Sequence, residues 1–339
     1  METTALSGKK RILGWEIAHN LETEKPEIQD RMSLGKKELI AISRILALFL
    51  LFFSLAYWLA GNPLKGTTRI DSPAVTALGE QRVFIWVILL AVLFEFLDSS
   101  AGMGYGTALT PMLLLLGFHP MQIVPAIMIQ QCIAGFSAAY MHKEFSNVEW
   151  KLKPMSETLR VALFLTITGS AATLLSTTAF YSVFKVSEEF IKIYVSILLI
   201  LMGAVSMIHN RGSRPYRPGR ILFFGTLAGF NKGVGGGGYG PVVTVGGILS
   251  GIPVKTMTAI TSLAEGIVCL SSLILWFILM TTGRVELDFI LLPSMIIGSF
   301  AAVIAAPYMV KILPSRLWSR VVPLYCITLA LYLLIKVIL

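Results

Sequence analysis

Charge is what this sequence has least of. Only 14% of its 339 residues are Asp, Glu, Lys or Arg, against roughly 25% in a soluble domain. That shortage, with 55% hydrophobic residues and a mean hydropathy of +0.76, excludes a soluble enzyme or binding module and implies a polytopic membrane protein. Cysteine is scarce too. Cys132, Cys269 and Cys326 all lie in apolar segments, without the spacing of a disulfide framework or a zinc site. There is no His-Glu-x-x-His, no Walker loop and no nucleophile elbow, so no enzyme chemistry, cofactor or metal is expected. The net charge of +9 does not indicate a nucleic-acid partner, because Lys and Arg sit between apolar runs, where they set orientation. Residues 1–37 mix both charge signs and lack the basic-then-apolar build of a cleavable signal, so they read as a cytoplasmic tail.

What is present is a series of apolar runs. The first, at 38–60, is long enough to span a bilayer once. A polar external loop at 61–81 follows, with Asn62-Pro63 and Asp71-Ser72-Pro73 as turn signals. Residues 82–208 then hold a broken short pair (Val83 to Leu97, a glycine stretch, a short piece to Gly117) and full-length runs near 121–141, 159–184 and 190–208. A basic loop at 209–220 contains four arginines and no acid. Residues 221–339 repeat the plan: a short run to Phe230, a glycine stretch, a short run from Val242 to Leu249, and runs near 256–281, 287–310 and 317–339.

The two halves align without gaps at a shift of 134 positions. Across Gly102–Gly117 against Gly236–Gly251, seven of sixteen residues match, including Gly-x-Gly-Tyr-Gly in register. Gly169-Ser170 and Gly298-Ser299 are further counterparts after a small shift. This reads as a duplication. A broken pair returns to the side where it started, and three further spans make each half an odd number of crossings, so the repeats are expected to be inverted. Charge agrees. With the N-terminus inside, Lys143, Lys151, Lys153 and Arg160, and then Arg211, Arg214, Arg217 and Arg220, fall on the cytoplasmic side, and the C-terminus falls outside. The expectation is an all-α protein of the cell membrane, with two inverted repeats after one extra span.

Inverted repeats bring two broken pairs together near the bilayer midplane. The helices after Gly104 and Gly238 would aim their amide ends at that point, where an anion is favoured. Gly104, Gly106, Gly236, Gly237, Gly238 and Gly240 would let backbone approach a ligand, although small residues also serve close helix packing. Asp98 and Lys232 occupy equivalent positions and are expected to face each other across the twofold axis, with Lys232 drawing the anion; snorkelling to separate interfaces is the alternative. Ser99, Tyr105, Thr107, Thr110, Gln130, Gln131, Asn231, Tyr239, Thr244, Thr261 and Ser262 are candidate ligand groups. Glu265, ten residues into its span and aligned with Gln131, is a candidate for carrying a coupled proton or, equally, a structural acid tied to Thr261 or Ser262.

These residues resemble the TauE/SafE family of membrane transporters. The resemblance rests on Asp98-Ser-Ser-Ala-Gly-Met-Gly-Tyr-Gly-Thr-Ala-Leu-Thr-Pro111 with Leu116-Gly-Phe-His-Pro120 in the first half. In the second it rests on Gly235-Gly-Gly-Gly-Tyr-Gly-Pro241, Leu249-Ser-Gly-Ile-Pro253 and Ile260-Thr-Ser-Leu263. It covers roughly residues 82–339. Where the family often shows Thr-Ser-Leu in both halves, the first half here reads Ile127-Met-Ile-Gln-Gln131. The resemblance implies a carrier of small anions such as sulfite or small organosulfonates, working by alternating access, with no nucleic-acid partner. An anion channel and a non-transporting membrane assembly component are the other classes left open, as is a homo-oligomer.

Overall fold

A chain in hydrocarbon must satisfy every backbone amide within itself, so long runs of Leu, Ile, Val, Phe and Ala fold as helices. The computed structural model describes residues 32–62, 70–78, 83–102, 104–184 and 218–313, with isolated positions in 190–201 and 324–335. The tail up to residue 31, most of the runs expected at 190–208 and 317–339, and the basic loop up to residue 217 lie outside the described residues.

All named elements are helical: α1 (Lys36–Gly61), α2 (Pro73–Leu78), α3 (Ile85–Ala101), α4 (Tyr105–Leu115), α5 (Pro120–Glu144), α6 (Glu157–Thr177, continued as a π-helix over Thr178–Phe184), α7 (Pro218–Gly235), α8 (Tyr239–Leu249), α9 (Val254–Thr281) and α10 (Leu292–Ile312). Five helices are long and apolar enough to cross a membrane: α1, α5, α6 with its continuation, α9 and α10. Helices α4 and α8 are shorter apolar pieces of 11 residues each.

Three boundaries differ from the sequence reading. The short first helices do not end at Leu97 and Phe230 but run one turn further, to Ala101 and Gly235. A helix continues until a residue can adopt the left-handed conformation that stops it, and those residues are Gly102 and Gly236, both at φ +72°. Their amides donate to the Asp98 carbonyl at 2.7 Å and the Lys232 carbonyl at 2.9 Å. Asp98 and Lys232 therefore sit inside the last turn. The loop at 61–81 contains α2, which is docked where the Ala74 amide meets the Gly117 carbonyl. The run from 287 begins as a non-helical lead-in to α10, held by Asp288. One of its carboxylate oxygens accepts from the Ile70 amide and the Gln122 side chain, and the other from the Ile290 amide.

Left-handed glycines recur in register. Gly102, Gly104 and Gly117 have φ of 72°, 146° and 88°; 134 positions later, Gly236, Gly238 and Gly251 have 72°, 81° and 92°. Packing is reciprocal as well. Helix α3 lies on α10 and α7 on α6, α5 crosses α9, and α4 meets α8. Of the glycines in the helix leading to the second break, Gly225, Gly229 and Gly233 serve close approach to α6. A Cβ on Gly229 would collide with the Gly169 backbone, and one on Gly233 with Thr173 and Ser176. Gly298 of α10 packs in the same way on Ile88 and Ala91 of α3. Helix α1 stands to one side, against α10 and α5, with Phe49 stacked on Phe300 at 4.0 Å.

Candidate functional site

The two glycine turns meet. The Gly238 amide donates to Thr107 Oγ1 at 2.9 Å, and Thr244 Oγ1 donates to the Gly102 carbonyl at 2.7 Å while lying 3.0 Å from Thr261 Oγ1. Gly106 and Gly237 touch backbone to backbone. A Cβ on Gly106 would come within 2.5 Å of the Gly236 carbonyl, and one on Gly237 would collide with the Gly106 carbonyl. These residues, expected to cradle a ligand, join α4 to α8 directly.

Charge gathers beside that junction. A small cleft is lined by Glu95, Asp98 and Ser99 of α3, Gln131, Ala134 and Gly135 of α5, and Ser262 and Glu265 of α9. Immediately behind it lies Lys232, 0% exposed. Its ammonium donates to Glu265 Oε1 at 2.7 Å and to the Gln131 side-chain oxygen. Gln131 and Glu265 are equivalent under the 134-residue shift, and both converge on the one lysine. Lys232 and Asp98, expected to face each other, are neighbouring charges, and the ion pair of Lys232 is with Glu265. Asp98 turns to the start of α4, where Oδ1 accepts from the Tyr105 amide at 3.3 Å. A carboxylate there meets free amides and the positive end of the helix dipole, while Lys232 finds a carboxylate and an amide oxygen within its own reach. Glu265 is accordingly tied to Lys232 and not to Thr261 or Ser262, whose hydroxyls bond Thr244 and the Thr258 carbonyl.

The remaining candidates spread around this core. Gln130 points away from Lys232. Its amide donates to Glu95 Oε2 at 2.8 Å, and its other face lines an apolar lateral fissure against α1. Asn231 accepts from the Tyr194 hydroxyl through its side-chain oxygen, while its amide nitrogen and the hydroxyls of Tyr105 and Thr110 are buried without a partner among the described residues. The Tyr239 hydroxyl donates to the Leu165 carbonyl at 3.3 Å, and Gly104 and Gly240 are buried at the two helix starts. Sequence reasoning missed Glu95, which is 2% exposed and accepts from Ser99 Oγ at 2.6 Å as well as from Gln130. The signal was available: an acid within an apolar run, three residues before Asp98 and so on the same helix face. His142 was also missed. Its Nε2 donates to the Ser99 carbonyl at 2.9 Å. Its Nδ1 accepts from the Asn147 amide at 3.0 Å, and that amide also donates to the Pro307 carbonyl.

Three carboxylates thus line a cleft, and the neighbouring Lys232 ammonium is bonded to Glu265 and Gln131. Among the described residues no group of His, Cys, Asp or Glu is placed to hold a metal ion. The family model "Sulfite exporter TauE/SafE" matches residues 87–333. The chain belongs to the TauE/SafE family. Over 171 residues it is 28% identical to "Probable membrane transporter protein YtnM" of Bacillus subtilis (strain 168), a match spanning 48% of this chain and 52% of that protein. The chain thus spans about half the length of the curated relative it matches. No solved structure matches. Membership of this family and the five apolar helices make this TauE/SafE protein a multi-pass membrane protein of a transporter family, in which α1 lies outside the matched region.

Proposed function

We propose that this TauE/SafE protein is a secondary transporter that carries a small anion by alternating access, with sulfite and small organosulfonates as its first candidates. The observation that carries the reading is Lys232, a wholly buried cation at the end of a broken helix, facing groups from α5 and α9. Intramembrane charges of this kind mark pathways and coupling sites. The proposed architecture is a pair of inverted repeats, with the N-terminus cytoplasmic and the C-terminus external. Its support is the recurrence of left-handed glycines at 134 residues and the reciprocal packing of α3 on α10 and α7 on α6. Such repeats place a midplane site between broken helices and alternate it between the two faces.

The test is uptake of labelled sulfite and methanesulfonate into proteoliposomes. Saturable flux, absent from empty liposomes, is expected for at least one of them. Lys232→Met is expected to reduce it at least tenfold while the purified variant stays monodisperse. Undiminished flux through Lys232→Met would remove the lysine from the site, and conductance that is linear in voltage without saturation would replace the carrier by a channel.

A further inference from the structure

In both halves the feature that should attract an anion is already occupied by the chain's own carboxylate. Lys232 is held by Glu265 at 2.7 Å, and the amide end of α4 by Asp98 at 3.3 Å. Both carboxylates line the same cleft, together with Glu95. An incoming anion therefore meets three carboxylates and, among the described residues lining the cleft, no ammonium that is not already bonded. Taking Lys232 while Glu265 stays ionised would strand a buried carboxylate beside a second anion, which low-dielectric surroundings punish heavily.

We infer that the cargo anion replaces Glu265 on Lys232, and that it does so only together with a proton bound by Glu265. This rests on the reading of the chain as an anion carrier and specifies its coupling. The step balances. A proton from water on the open side converts the Glu265 carboxylate to a carboxylic acid, its ion pair with Lys232 opens, and the anion takes the vacated place on the ammonium. For a monoanion, one negative charge leaves the cleft and one enters. On the opposite side the anion departs, Lys232 recaptures Glu265, and the proton is released. The site is then either loaded with both or empty of both, which makes the cycle an electroneutral proton–monoanion symport.

The groups around Glu265 fit this assignment. From α7 it faces Lys232, from α3 Glu95 and Asp98, from α5 Gln131, from α8 Tyr239, and on its own helix the Cys269 thiol one turn on. On α6 the ionisable pair Glu157 and Arg160 bond each other at the helix start. Lys232 is the cation in contact with Glu265, and Glu265 is the carboxylate that holds it. Gln131, the counterpart of Glu265 in the other half, holds the same ammonium without being able to titrate. Its amide oxygen stays on Lys232 throughout, so one of two symmetry-related arms is switchable and the other is a fixed tether.

The experiment uses the full chain in proteoliposomes loaded with a pH dye, with methanesulfonate as probe because this strong-acid anion brings no proton of its own, and sulfite as second substrate. Inward methanesulfonate flux is expected to acidify the lumen by about one proton per anion, and an inwardly directed proton gradient to drive at least tenfold accumulation. Glu265→Gln is expected to lose that accumulation and the pH dependence of anion binding. Should Glu265→Gln fold poorly, wild-type protein in weakly buffered detergent supplies a second readout, in which methanesulfonate addition raises the pH of the medium. Anion flux without proton movement, or proton coupling that survives Glu265→Gln, overturns this inference and leaves the transport reading standing. Absence of flux for both anions at every pH overturns the transport reading itself, and this inference with it.

Discussion

At the scale of single residues, the site is a set of buried polar groups whose partners are mostly accounted for, and stability and function are therefore hard to separate there. Glu95 is the clearest case. Replacing it by Ala would strip the acceptor from Ser99 Oγ and Gln130 Nε2, both buried, and stranded donors cost about 1–3 kcal/mol each. Glu95→Ala is expected to lower the melting temperature of the purified protein, and Glu95→Gln, which keeps an acceptor oxygen, to lower it less. Equal melting of both variants and wild type would show that the Ser99 and Gln130 bonds contribute nothing. Residue-level chemistry was only partly legible in the sequence. Lys232 and Asp98 stand out as charges at the ends of apolar runs, and Glu265 as a charge inside one. Which acid takes the lysine was not legible, because the choice is made by the crossing of α5, α7 and α9 and no local spacing encodes it. Glu95 was passed over because its run reads as uniformly apolar when scanned for length.

At the scale of elements, glycine divides into two jobs that look the same in a sequence. At Gly102 and Gly236 the backbone itself needs φ +72°, and the matching Gly-x-Gly-Tyr-Gly made that legible. At Gly225, Gly229 and Gly233 the backbone is ordinary helix, and the small side is what lets α6 come close. A scan that groups Gly233 and Gly235 with the break ends the helix one turn early, and the face that settles the matter belongs to a helix more than fifty residues away. The two jobs predict different variants. Gly229→Val would force branched carbons into the Gly169 backbone, and overpacking of this kind costs about 1–3 kcal/mol or more. A large loss of thermal stability is expected. Gly219→Ala, at the start of the same helix with open space around it, is expected to shift stability by no more than about 0.5 kcal/mol. Similar melting curves for the two would mean that α6 and α7 are not closely packed in the membrane.

At the scale of the whole molecule, the five long apolar helices among the described residues were legible because helix length follows bilayer thickness, which is a property of the solvent and not of the fold. The reciprocal packing of α10 on α3 and of α6 on α7 was not legible, because a count of crossings says nothing about which helices touch. Opposite placement of the loops that precede the two halves, at 61–81 and 209–220, is the decisive consequence of the proposed inverted repeats. Reporter insertions that are active only on one side of the membrane are expected to place the 61–81 loop outside and the 209–220 loop in the cytoplasm. Both loops on the same side would require repeats of parallel sense and a different site geometry.

The contact of Gly106 with Gly237 carries one more consequence. At Gly106 and Gly237 the two turns meet backbone on backbone, with no side chain to withdraw at that point, so one surface can tilt over the other as in a plain bearing. Thr107, bonded to the Gly238 amide, would act as the pin of that bearing. A methyl group added at Gly237 is then expected to seize it, blocking the cycle in one orientation.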